Sequence, residues 1–193
     1  MAEELRQRAE DAEPRIGQDV SEAAELAGGK LIGLRSRLKS REKIAEKIGR
    51  QLGKYRPFIT TDEEAAETIM DTLRYTFRSD TENHPDSVRA MLEELRRRGY
   101  EYDEETQPEN NWVRGTPYKG INVNLTKGGF TFELQFHTHE SFQAVKDNHG
   151  LYEEWRKQGI PDDRKRELEA QMIERSDQVP FPPGIEHVGV LQG

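Results

Sequence analysis

The chain has 193 residues, a net charge of −8, 34% charged and 33% hydrophobic residues, and no cysteine. This length suits one domain with a substantial core. The absence of cysteine excludes disulfides, thiolate metal sites and cysteine nucleophiles. No apolar run is long enough to cross a bilayer or to form the core of a signal peptide, so a soluble chain acting in the cytoplasm is expected, with secretion and delivery into a target bacterium as one route to that site.

Residues 1–28 are rich in Ala and Glu and place Val20, Ala23, Ala24 and Ala27 near helical spacing. They run into Gly28-Gly29, a helix-stop signal, so residues 1–29 are expected to form a helical cap. "KLIGLRS" reads as the start of a strand. Ser40 is placed to cap the helix "REKIAEKIGRQLGKY", whose Ile44, Ile48 and Leu52 share one stripe. "TDEEAAETI" resembles a short helix capped by Asp62, and "LRYTFRS" alternates as a strand does. Pro85 opens an amphipathic helix with Val88, Met91, Leu92 and Leu95 on one face, ended by Gly99. "YKGINVNL" and "FTFELQFHT", joined by "KGG", read as a hairpin whose polar face gathers Asn122, Asn124, Glu133, Gln135 and His137. A helix with a break at Gly150 and a charged helix near 162–175 follow. A Pro-rich tail, residues 177–193, is expected to lay Val188 and Val190 along the body.

Charge is segregated along this chain. Residues 30–56 hold ten Lys or Arg against Glu42 and Glu46, making that window +8 and the remainder −16. A local basic surface on an acidic body suits a small polyphosphate better than a long duplex. Arg35, Arg37, Lys39, Arg41, Lys43, Lys47 and Arg50 cluster where a strand feeds a helix. A solvated charged face would explain such a run cheaply. Acidic i+4 partners are scarce, however, and crowded like charges favour a bound anion, which guanidinium forks and free helix N–H groups match. Asp71 precedes one strand and Glu133 lies in another; taken separately they read as a capping aspartate and a solvated glutamate. Taken together, two carboxylates beside an anion site match what Mg²⁺ takes in phosphoryl-transfer enzymes. Tyr118 and Trp112 are either core aromatics or a stacking wall for a base. The histidine spacing fits no zinc pattern.

Four motifs, in order over residues 30–156, resemble the RelA/SpoT-type alarmone synthetases. "RLKSREKIAEK" resembles the donor-binding segment through Arg37, Lys39, Ile44 and Lys47. "MDTLRYTF" resembles the strand with the metal-binding aspartate, Asp71. "WVRGTPYKGIN" resembles the acceptor loop with its stacking tyrosine, Tyr118. "FELQFHT" resembles the strand carrying the catalytic glutamate, Glu133.

The resemblance implies an α+β fold with a central mixed sheet of about five strands flanked by helices, and a synthetase domain over residues 30–176. It implies a pyrophosphokinase that moves the β,γ-pyrophosphate of ATP to a purine nucleotide 3′-hydroxyl. Arg35, Arg37, Lys39, Lys47 and Arg74 would hold the donor. Tyr118, Lys119, Asn122, Gln135 and His137 would hold the acceptor, and Asp71 and Glu133 would hold Mg²⁺. The sequence departs from the family pattern at Lys43 (usually serine), at the arginine displaced to Arg74, at Asn122 (histidine) and at His137 (arginine). These departures resemble the toxin branch, including secreted effectors that make (p)ppApp, and imply an immunity protein or antitoxin as partner. Guanosine nucleotides, the 3′-terminal adenosine of tRNA, and a non-catalytic nucleotide-binding module remain the alternatives; the acidic body argues against tRNA.

Overall fold

The computed structural model describes residues 1–103, 106, 108–157 and 159–188. Helix α1 (Ala2–Leu26) leads into strand β1 (Lys30–Ile32) and a short 3₁₀ turn, then α2 (Arg41–Lys54) and α3 (Asp62–Glu67). Strand β2 (Arg74–Arg78), α4 (His84–Arg97) and the two-residue strands β3 (Glu101–Tyr102) and β4 (Glu109–Asn110) follow. Strands β5 (Ile121–Lys127) and β6 (Phe130–His137) and helices α5 (His139–Trp155) and α6 (Asp162–Asp177) complete the described chain. No described helix is long and apolar enough to cross a membrane.

The sheet runs β1-β2-β6-β5-β3, with β4 also paired to β5. Among the described residues only β2 and β6 pair in parallel, so the sheet is mixed as expected, with six described strands rather than about five. The expected hairpin forms, with Gly128 and Gly129 at φ 61° and 75° in its turn, a region glycine occupies without steric cost. Alternation sends Tyr75, Phe77, Ile121, Val123, Leu125, Phe132, Leu134 and Phe136 to one face, where α1 and α4 cover them. Edge-to-face ring pairs knit this layer: Tyr75 and Tyr100 meet Phe132 at 5.9 and 5.7 Å, and Phe77 meets Phe136 at 5.6 Å. Ile16, Val20, Ala23 and Ala24 of α1 belong to this same core. A second cluster joins Ile44 and Ile48 of α2 to Ala65, Ala66 and Ile69 beside α3.

Local signals act largely as the sequence predicts. The Ser40 hydroxyl accepts the Lys43 N–H at the start of α2, and Gly28, at φ 73°, follows α1. Two differ. The cap of α3 is Thr61, whose hydroxyl accepts the Glu64 N–H while the Glu64 carboxylate accepts the Thr61 N–H; Asp62 is the first helical residue. Helix α5 runs through Gly150 without a break, because its flanks pack on α6 and a single helical glycine costs only about 1 kcal/mol. The tail docks through Ile185 and Val188, whose carbonyls accept from the Asn110 amide; Val190 lies outside the described residues.

Candidate active site

The polar face of the sheet, left open between α2 and α5, forms a cleft of about 630 Å³. Alternation puts Asn122, Gln135 and Glu133 on this face, and register puts Glu133 opposite both Asn124 and Arg74. Helix α2 supplies its walls through Lys43, Lys47 and Arg50, one residue per turn, with Lys39 just before the helix. Across from them α5 presents His149, Tyr152, Glu153 and Arg156.

At the floor, Asp71 is the hub of a charge network. Its carboxylate accepts from Lys47 Nζ at 2.7 Å, from Lys39 Nζ at 2.9 Å and from Arg74 Nη2 at 2.7 Å. The Arg74 Nε donates to Glu133, so one guanidinium links the two carboxylates. Burial would raise the Asp71 carboxyl, but Lys47, Lys39 and Arg74 outweigh it and hold the group well below the usual carboxylate range. Burial pushes the Lys39 ammonium down, only partly offset by Asp71. Three cations share two carboxylates, an arrangement that leaves positive charge for a phosphate ligand.

Asp71 and Glu133 supply hard oxygen donors, and among the described residues no cluster of three or more His, Cys, Asp or Glu side chains could hold a metal. Two carboxylates completed by substrate phosphates fit Mg²⁺ rather than zinc or an all-protein calcium cage. Tyr118 lines the same cleft. Its hydroxyl lies 2.8 Å from Asn122 Oδ1 and 3.0 Å from His137 Nε2.

Five expected residues are absent from the cleft lining, one of them Glu133, whose carboxylate is taken up by Arg74. Arg35 sits exposed on the 3₁₀ turn away from it. Arg37 donates to Glu13 of α1 at 2.6 Å and to the Leu34 carbonyl, and it too is absent from the lining. Lys119, expected at the acceptor, is 1% exposed; its ammonium turns to the Thr116 carbonyl at 2.7 Å and to Asp177 at 3.0 Å, where it tethers the end of α6. His137 is likewise 1% exposed, sealed beneath Tyr118 and the first turn of α5, so it acts on the cleft only through Tyr118. Trp112 is a core residue, packed edge-on to Phe181 and His84. The α5 wall was not expected from the sequence, although Val145, His149, Tyr152 and Arg156 recur at helical spacing and mark one stripe.

The fold this site is built on is that of the small alarmone synthetases. No protein-family model matches the chain, and no curated protein matches it in sequence. Among solved structures, the chain is similar to small alarmone synthetase 1 from Bacillus subtilis bound to its product pppGpp, with a TM-score of 0.55 at 18% identity over 90% of this chain and 89% of that one. It is similar to a GTP pyrophosphokinase family protein from Streptococcus pneumoniae, with a TM-score of 0.54 at 15% identity over 90% and 84%. Small alarmone synthetase 2 from Bacillus subtilis gives 0.54 at 14% identity over 91% and 89%.

Proposed function

We propose that the chain is a Mg²⁺-dependent pyrophosphokinase that transfers the β,γ-pyrophosphate of ATP to the 3′-hydroxyl of a purine nucleotide. The observation that carries this reading is the pair Asp71, just before β2, and Glu133 on β6, linked through Arg74 beside a cleft walled by Lys39, Lys43, Lys47 and Arg50. A cleft that only bound nucleotide would have no use for a paired carboxylate site. The structurally similar synthetases, one of them bound to pppGpp, support the same reaction class.

Mg²⁺ held by Asp71 and Glu133 supplies charge neutralisation on the donor phosphates. On donor binding, Lys39 and Lys47 exchange the Asp71 carboxylate for phosphate oxygens, and Arg74 stays within reach of both carboxylates and the transferred group. Glu133 accepts the proton of the acceptor 3′-hydroxyl. That oxygen attacks the β-phosphorus, the bond from the β-phosphorus to the α,β-bridging oxygen breaks, and AMP leaves. Positioning and charge stabilisation carry most of the rate. Tyr118 offers its ring face to the acceptor base, with Asn122 and Gln135 alongside.

For the acceptor we favour ADP or ATP, giving (p)ppApp, on the departures at Asn122 and His137. Such a product drains the adenylate pool, which suits a growth-inhibiting toxin acting in a bacterial cytoplasm, held in check by an immunity protein or antitoxin. The pppGpp-bound relative favours the second reading, a GDP or GTP acceptor. Purified protein with Mg²⁺ and ATP, given ADP, GDP, GTP or deacylated tRNA in separate reactions and resolved by anion exchange and mass, tests this. The expected products are AMP with ppApp or pppApp. A guanosine product selects the second reading, labelled tRNA moves the acceptor to nucleic acid, and no AMP with any acceptor overturns the catalytic assignment.

A further inference from the structure

A directional chain of hydrogen bonds runs from the first turn of α5 to the cleft. The Ser141 hydroxyl accepts the Thr138 N–H at 3.0 Å, so its own proton must go elsewhere. The Thr138 carbonyl lies 3.5 Å away, whereas His137 Nδ1 lies at 3.0 Å. Distance favours Ser141 donating to Nδ1. A neutral imidazole with an accepting Nδ1 carries its proton on Nε2, which faces the Tyr118 hydroxyl at 3.0 Å. With its oxygen accepting from His137, Tyr118 directs its single proton to Asn122 Oδ1 at 2.8 Å. The carbonyl end of the Asn122 amide is thereby committed, and its NH₂ end has no hydrogen-bond partner among the described residues, on a side chain that lines the cleft.

The relay has no slack. A Cβ on Gly120 would stand 2.8 Å from both His137 Cε1 and the Tyr118 hydroxyl oxygen, so only glycine permits the close approach of the two rings. Those rings meet edge-on at 5.3 Å, leaving the Tyr118 ring orientation set by His137 on one side and by Asn122 at its hydroxyl end.

We infer that Ser141, His137 and Tyr118 act as positioning residues for Asn122, and that Asn122 is the specificity-determining residue: it presents a fixed N–H donor to the edge of the acceptor base. This rests on the assignment of Tyr118 to the acceptor site. The donor selects a purine that offers a hydrogen-bond acceptor there, a ring nitrogen or carbonyl oxygen, and rejects one that offers an amine or a C–H. Discrimination arises because a base without that acceptor strands the amide donor in a half-buried site.

The test pairs nucleotide binding with turnover, in the wild-type chain and in Tyr118→Phe, which keeps the stacking ring and removes the hydroxyl. The probes are the diphosphates of adenosine and guanosine, their 1-deaza, 3-deaza and 7-deaza analogues, and 2-aminopurine riboside diphosphate, which lacks the guanine carbonyl. In the wild type, one analogue is expected to bind about tenfold or more weakly than its parent, reporting the atom that Asn122 contacts. In Tyr118→Phe that ratio should fall to within about twofold to threefold, since the freed amide can rotate, with KM moving more than kcat. His137→Gln, which keeps an N–H donor at the Nε2 position, should retain the wild-type ratio. Nitrogen NMR of the His137 ring should show the neutral Nε2–H tautomer at pH 7. Equal binding of every analogue, full discrimination in Tyr118→Phe, or an Nδ1–H tautomer each overturns the inference. If AMP forms while the analogues bind alike, the relay is wrong and the reaction stands. If one analogue is rejected but no AMP forms, the catalytic reading falls and the relay stands.

Discussion

Acidification from pH 7 to pH 5 should remove about 4 kcal/mol of folding stability, through two histidines that the sheet buries in neutral form. His84 is fully buried, with Nδ1 2.7 Å from the Ser79 hydroxyl, and burial pushes its imidazole down to about 4. His137, sealed under Tyr118, is pushed down to about 3, chiefly by burial and secondarily by His84. Both folded values lie below the unfolded value of about 6.5, so the unfolded chain binds protons that the folded chain refuses. The stabilisation is fully present above about pH 6.5 and is lost as the pH falls toward 4. At about 1.4 kcal/mol per pH unit, each histidine forfeits roughly 2 kcal/mol by pH 5. That is a large share of the 5–15 kcal/mol typical of a domain, and it corresponds to a fall in Tm of about 10 °C. Urea unfolding followed by circular dichroism at pH 7, 6 and 5 measures it. His84→Gln and His137→Gln should each flatten the dependence by about half. A change below about 1 kcal/mol in the parent, or the parent's full slope retained in both variants, refutes the burial argument.

Asp71→Ala and Glu133→Ala should each lower pyrophosphate transfer by about 10³-fold or more, read as AMP release; full activity in either variant would remove that carboxylate from the mechanism. Tyr118→Ala removes the ring as well as the hydroxyl and should raise the acceptor KM by about tenfold or more with a smaller effect on the donor KM, and an unchanged acceptor KM rules out stacking. Gly29→Ala places a methyl 2.3 Å from the Phe77 ring and 2.7 Å from the Arg78 carbonyl, so it should destabilise the fold by about 2 kcal/mol or more in urea unfolding. The neighbouring Gly28, at φ 73° with nothing within 4 Å, should instead show only a cost of backbone strain when changed to Ala, about 1 kcal/mol.

Period-two alternation made β2, β5 and β6 legible, because each buries only one face and every second residue must then be apolar. The same alternation identified Glu133, Asn122 and Gln135 as residues of one polar face. It could not say what covers that face. His137 follows the alternation as faithfully as Glu133 does, yet the first turn of α5 and Tyr118 close over it, a contact set by how the chain turns at Thr138 rather than by the strand itself. Lys119 turns away from the cleft for a related reason: its partner Asp177 lies 58 residues on, at the end of α6, and nothing local marks the pair.

The basic segment shows where composition stops and geometry takes over. Its charge of +8 is a sum over residues that the fold sends in different directions. Positions 43, 47 and 50 recur at helical spacing, so α2 aligns them on one stripe facing the cleft, and Lys39 joins them from just before the helix. Arg35 and Arg37 precede the helix on a 3₁₀ turn that obeys no such stripe, and Arg37 is captured by Glu13 from the long N-terminal helix. Arg156 arrives from the other wall on α5. The cleft thus gathers Lys39, Lys43, Lys47, Arg50, Arg74 and Arg156 around Glu46, Asp71 and Glu153, a local excess of positive charge on a chain of net −8. A field confined to one cleft favours a compact polyphosphate, whereas the acidic exterior repels a long nucleic acid. Acceptors built on free nucleotides are therefore favoured over tRNA by the placement of the charge, which the net value alone conceals.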